Sequence, residues 1–196
     1  CIRDSFKDIL SNRQMNYLML ISMMKSLITN SSCILLPFLW KAMGHSPFYI
    51  GFALFLFVFA GAFSSFLSPK AEKLFGSKPV VYFSMWATFP MMVLFALTYK
   101  THSVLSLVIF FLIGFTTMLA QPVTMVWAQR TLPEYKSIVA GFINGFCWGI
   151  VALCMSILGA VAQNCGIMKV LVLLSIVPAI SSYFVKFLKE KKNESD

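Results

Sequence analysis

Residues 16–40 read NYLMLISMMKSLITNSSCILLPFLW, an apolar run of membrane length with one charge, Lys25, near its middle. An α-helix rises about 1.5 Å per residue, so about twenty apolar residues cross about 30 Å of hydrocarbon. Five further runs meet that requirement: Pro47–Leu67, Pro79–Tyr99, Ser103–Gln121, Ser137–Gln163 and Ile167–Phe187. The reading is therefore all-α, a single six-helix transmembrane domain over residues 1–196, with 188–196 as a charged cytoplasmic tail. The last run spans comfortably only if Lys169 and Lys186 snorkel to the two surfaces.

Composition supports this. Hydrophobic residues make up 59% of the chain and charged residues 12%, with a mean hydropathy of +0.81. That is more apolar surface than a soluble core of this length can hide. A β-barrel would alternate polar and apolar residues along strands of about ten, whereas these runs are apolar all round. The net charge of +9 does not mark a nucleic-acid partner, because the bases fall between apolar runs rather than in one patch. Twelve Lys and Arg lie on one side of the spans and three on the other. Both termini are accordingly expected in the cytoplasm. All seven carboxylates fall on that same side, and Lys25 is left as the one charge at membrane depth.

Catalysis by a nucleophile or a metal needs His, Cys or carboxylate groups that converge. His45 and His102 stand in short outer loops without acids, and the five cysteines show no metal-type spacing. No enzyme, metal or cofactor is expected. The tail from Lys186 onward is apolar-poor and expected to be solvated.

Polar residues within the spans are the candidates for function. Ser22, Lys25, Ser26, Thr29 and Ser32 recur at helical spacing and share one face of the first helix. A charge at the centre of a membrane helix costs about 2.5–3.5 kcal/mol, so Lys25 should face a water-filled cavity or a partner. One reading makes it a site for an anionic substrate or a transported proton. The other pairs it with carbonyls of a neighbouring helix or lifts it to the headgroups by tilt. Asn144 sits within a ladder of Gly141, Gly145 and Gly149, whose spacing of four permits close helix approach. Its amide can bond across helices or touch a ligand. Gln121, before Pro122, either breaks the fourth helix and frees carbonyls to line a cavity or marks a simple bend.

These residues resemble the C-terminal six-helix half of the major facilitator superfamily, and within it the fosmidomycin-resistance group of exporters. The most specific likeness is 128–166, AQRTLPEYKSIVAGFINGFCWGIVALCMSILGAVAQNCG, with its Leu-Pro, its Gly-Phe-x-Trp-Gly and its closing Gly. A second is the 68–78 loop, SPKAEKLFGSK, which is similar to the superfamily's Gly-x-x-x-Asp-Arg-x-Gly-Arg-Arg signature between paired helices. Ser68 replaces its first Gly, Glu72 the Asp and Lys73 the Arg, while one residue is added before Gly76 and Lys78 supplies the last base. A third is Lys25-Ser26, where that group tends to carry a base followed by Ser.

The resemblance implies one half of a major-facilitator-type bundle in the inner membrane, exporting small drug-like or anionic compounds by proton-coupled alternating access. It also implies that Glu72, Lys73, Gly76 and Lys78 gate the transition and that the substrate lies between two halves. Only one half is present and the chain begins at Cys1, so its start reads as a cut. The expected partners are membrane lipid, a small-molecule substrate, and either an N-terminal half or a second copy. A free-standing six-helix subunit that dimerises, or has a structural role without transport, is the alternative.

Overall fold

The computed structural model describes residues 9–100 and 103–189. Arg3, Asp4, Lys7, Asp8, His102 and the tail from Glu190 to Asp196 lie outside the described residues. Among the described residues there is no strand, and six helices are long and apolar enough to cross a membrane. They are α1 (Arg13–Ala42), α2 (Pro47–Phe75), α3 (Ser77–Thr98), α4 (Ser103–Thr131), α5 (Pro133–Cys165) and α6 (Ile167–Val185).

Local chemistry sets the ends of these helices. The Asn12 side chain accepts from the amides of Gln14 and Met15, capping α1. Ser46 caps α2 through the amide of Tyr49, and Pro47 supplies the first turn. Gly76, at φ 90°, is the tight link between α2 and α3, and Gly166, at φ 98°, joins α5 to α6.

The prolines bend the spans in different ways. Pro178 cannot donate to the carbonyl of Leu174, and α6 divides at Ser175 into Ile167–Leu174 and Ile176–Val185. Pro122 leaves α4 intact to Thr131, so of the two readings of Gln121 the helix break does not occur. The carbonyl that Pro122 frees is that of Met118, and Ser65 Oγ of α2 donates to it at 3.4 Å.

The helices pack with α4 against α2 and α3, α1 against α5 and α6, and α3 against α6. Their apolar core falls into two clusters at different heights. One gathers Met15, Leu18 and Ile21 with Val81, Met85, Val123, Ile143, Cys147 and Val185. The other gathers Ile28, Leu36 and Trp40 with Phe57, Phe95, Phe110, Val151 and Leu171.

Residues expected in a solvated tail are partly docked. Leu188 is buried, and Lys78 Nζ donates to the carbonyls of Lys186 and Leu188 at 2.8 Å each. Gln14 Nε2 donates to the carbonyl of Lys189 at 2.9 Å. One apolar side chain and three carbonyls at the end of a helix suffice to hold the strand down.

Candidate functional site: a polar layer between two apolar clusters

Between the two clusters the interior is polar. Ser22, Lys25, Ser26 and Thr29 of α1 are all buried there, as one face of the helix. Ser84 and Thr88 of α3, Thr116 and Thr117 of α4, and Ser181 and Ser182 of α6 lie in the same layer and are also buried. A helix wholly sheathed in lipid has no reason to collect hydroxyls at one height, whereas a protein interior can accommodate them if they are satisfied.

On the α3–α4 side they are satisfied. Ser84 Oγ donates to the carbonyl of Thr116. Thr88 Oγ1 is 2.7 Å from the carbonyl of Ser84 and 3.0 Å from Thr116 Oγ1. Thr117 donates to the carbonyl of Ile113 at 2.7 Å. Gln121, one turn beyond Thr117, is half-buried.

The α1 side is different. Thr29 Oγ1 donates to the carbonyl of Lys25 at 3.2 Å, and Asn30 donates to that of Ser26 at 2.8 Å. Lys25 Nζ, Ser22 Oγ and Ser26 Oγ are buried and have no hydrogen-bond partner among the described residues, and the same holds for Ser181 Oγ. Lys25 is only 1% exposed. It therefore points into the interior of its own six-helix bundle rather than onto an open surface.

A second constellation lies at one end of the bundle. Glu72 Oε1 accepts from Arg130 at 2.7 Å and from Ser77 Oγ at 2.7 Å, joining the ends of α2 and α4 to the start of α3. With the Lys78 contacts to the end of α6, this ties four helices together. Lys73 is exposed. Arg130, which sequence reading counts only as a topology charge, proves to be the partner of Glu72. The signal was available, as opposite charges at the ends of two spans on the same side. Glu72→Gln is expected to cost about 1 kcal/mol or less in chemical unfolding, because Arg130 is 48% exposed and its charge is screened. A loss several times larger would show that the pair carries the α2–α4 contact itself.

The glycine ladder needs correcting. Gly141, Gly145 and Gly149 are exposed, and a Cβ added at any of them would meet nothing within 4 Å. Val139, Ile143, Cys147 and Val151 take the inward side of α5, offset by two residues or about 200° around the helix. Asn144 is exposed beside the glycines, in a π-helical turn spanning Phe142–Phe146. It makes no interhelical bond among the described residues. The close approach in this bundle is instead between α2 and α4, where a Cβ on Gly114 would lie 2.5 Å from the carbonyl oxygen of Phe57.

Six apolar helices around a polar interior define a multi-pass membrane protein. The model of the Major Facilitator Superfamily matches residues 2–156, and the chain belongs to that family of membrane transporters. Comparison with curated proteins gives no match.

Proposed function

We propose that the chain is the C-terminal six-helix half of a secondary active transporter of the fosmidomycin-resistance type. It exports small drug-like or anionic compounds from the cytoplasm in exchange for protons, by alternating access. The observation that carries this reading is a lysine at 1% exposure, placed at mid-height in a family of transporters, whose ammonium has no partner among the described residues. Intramembrane charges cost enough that they persist mainly where a substrate, an ion or a proton needs them. Ser22, Ser26 and Thr29 flank Lys25, and Gln121 borders the layer from α4.

The remaining six helices of the transporter come from an N-terminal half or a second copy, and the outward face of α5 receives them. Gly141, Gly145 and Gly149 let a helix backbone approach closely there, and Asn144 offers it a hydrogen bond. Gly145→Leu should accordingly leave the stability of this bundle within about 0.5 kcal/mol, since nothing lies within 4 Å of the added group. Transport should fall about tenfold as the halves are wedged apart. An unchanged transport rate would remove this face from the interface.

Glu72, Gly76 and Lys78, with Arg130, latch one end of the bundle in one access state, and Lys73 extends the basic rim. That end also carries Arg13, Lys70, Lys136 and Lys189, and the positive-inside bias supports a cytoplasmic location for it and for both termini. The test is to express the full-length gene in a drug-sensitive host and compare resistance to phosphonate antibiotics with and without Lys25→Ala. Resistance lost in the variant at equal protein level supports the reading, and equal resistance overturns the role of Lys25.

A further inference from the structure

At the end of the bundle that carries Arg13, the seam between α1 and α6 is held as a fixed platform. A helix that stops leaves its last carbonyls open. Here Lys78 Nζ of α3 takes those of Lys186 and Leu188 at 2.8 Å each, and Gln14 Nε2 of α1 takes that of Lys189 at 2.9 Å. With Leu188 buried, residues 186–189 are pinned across the start of α1. Aromatic rings close the seam beneath them. Tyr17 stacks on Phe187 with ring centres 5.8 Å apart and lies 6.1 Å from Phe184, and Tyr183 stands edge-on to Phe187 at 5.3 Å. Arg13 rests on the same rings, its Nη2 donating to Tyr17 Oη at 3.2 Å and its Cζ 5.7 Å from the ring centre.

The outer side of this platform is open. Phe187 is 48% exposed and Tyr183 56%, and the exposed side chains of Ile180, Ile176 and Leu173 continue from them along α6 at intervals of three and four. That spacing keeps them on one face, as an apolar lane about 20 Å long that starts at a guanidinium. The lane alone selects no partner, since lipid chains cover any exposed apolar face of a membrane helix. The charge does select one. A guanidinium presents five N–H donors in a planar fork that matches phosphate bidentately, and Tyr17 engages only one of them. Among the described residues Arg13 makes no ion pair, and of the two described carboxylates Glu72 is engaged by Arg130 and Ser77 while Glu134 opens α5. Lys186 and Lys189, exposed on the pinned segment, raise the positive potential around it. A zwitterionic headgroup would bring a further cation to a place already basic, whereas an anionic one brings only the countercharge.

We infer that Arg13, resting on Tyr17 and Phe187, binds the phosphate of one anionic phospholipid whose acyl chain lies along α6 from Tyr183 to Leu173. The lipid bridges the first and last helices of the bundle. The site is independent of the export reading, since it needs only that the chain spans a membrane and its occupant is a component of the bilayer rather than the transported compound.

The test titrates the full-length protein, purified in detergent, with phosphatidylglycerol or with phosphatidylcholine of the same chain length, and counts bound lipids by native mass spectrometry. One phosphatidylglycerol should bind ahead of all others, and phosphatidylcholine should bind there about fivefold more weakly. Arg13→Gln should weaken that first site about fivefold. Lys70→Gln, which removes an equal charge from the same end of α2, should leave it unchanged. Glycerol 3-phosphate, which has the phosphate and no chains, should not displace the lipid. Equal binding of the two lipids overturns the inference, and so does an equal loss in Arg13→Gln and Lys70→Gln, which would mean a diffuse attraction to the whole basic rim. Displacement by glycerol 3-phosphate would overturn the lipid as occupant and leave a plain anion site. Because the readout needs no transport, each of these failures leaves the export reading standing, and equal drug resistance in Lys25→Ala leaves the lipid site standing.

Discussion

Replacing Lys25 with methionine is expected to reduce transport by about tenfold to a hundredfold and to leave the bundle no less stable. The first effect follows from the strength of a charge-assisted contact. Such a contact contributes about 1.5–3 kcal/mol, and each 1.4 kcal/mol is a factor of ten in binding or rate. The second follows from the cost of the charge itself. Methionine keeps most of the length of the stem and removes an ammonium that has no protein partner among the described residues. Exchanging a buried unpaired charge for an apolar group of similar shape is neutral or stabilising, whereas exchanging a paired one is destabilising. The two readouts separate the possibilities. Transport by vesicle uptake and unfolding by scanning fluorimetry should move in opposite directions, or only transport should move. If Lys25→Met lost stability and transport together, the lysine would be serving the packing of α1 in the bundle.

The division between what the sequence reveals and what it conceals is physical. The spans are legible because lipid demands about twenty apolar residues in each, a constraint written locally in the chain. The polar face of α1 is legible because helical periodicity brings residues 22, 25, 26, 29 and 32 together whatever surrounds them. The destination of that face is a matter of tertiary packing. Sequence reading leaves Lys25 at either a cavity or a partner, and the fold buries it inside the bundle. Ser181 stays hidden for the same reason, as a serine in an apolar run carries no sign of the height at which its helix docks. The glycine ladder shows the opposite failure. Its spacing correctly puts three glycines on one face, but periodicity cannot say whether that face looks in or out. The inward apolar residues Val139, Ile143, Cys147 and Val151 settle the matter only when compared with their offset from the ladder. Lys78 and Gln14 are invisible as tethers because their acceptors are backbone carbonyls, which every sequence supplies.

Gly114→Ala is expected to be strongly destabilising. The α2 and α4 helices cross with Phe57 and Gly61 facing Gly114 and Met118. A Cβ on Gly114 would stand 2.5 Å from the carbonyl oxygen of Phe57 and 3.0 Å from its ring. The carbonyl belongs to a helix backbone and the ring is fully buried, stacked on Phe110 with ring centres 4.7 Å apart. Neither can yield without moving α2, and α4 in turn carries Thr116, whose hydroxyl accepts from Thr88 of α3. Overpacking of this kind typically costs about 1–3 kcal/mol, and here the upper end or more is expected. Gly61→Ala is the informative contrast. Its Cβ would meet Met118 Cγ at 2.7 Å, a closer number than many core contacts, yet the obstacle is a flexible and only partly buried side chain that can swing aside. Its cost should stay below about 1 kcal/mol. Thermal unfolding of the two variants side by side therefore reads rigidity rather than distance. Equal losses would mean that α2 can slide along α4, and with it that the Thr116 end of the polar layer is free to shift during transport.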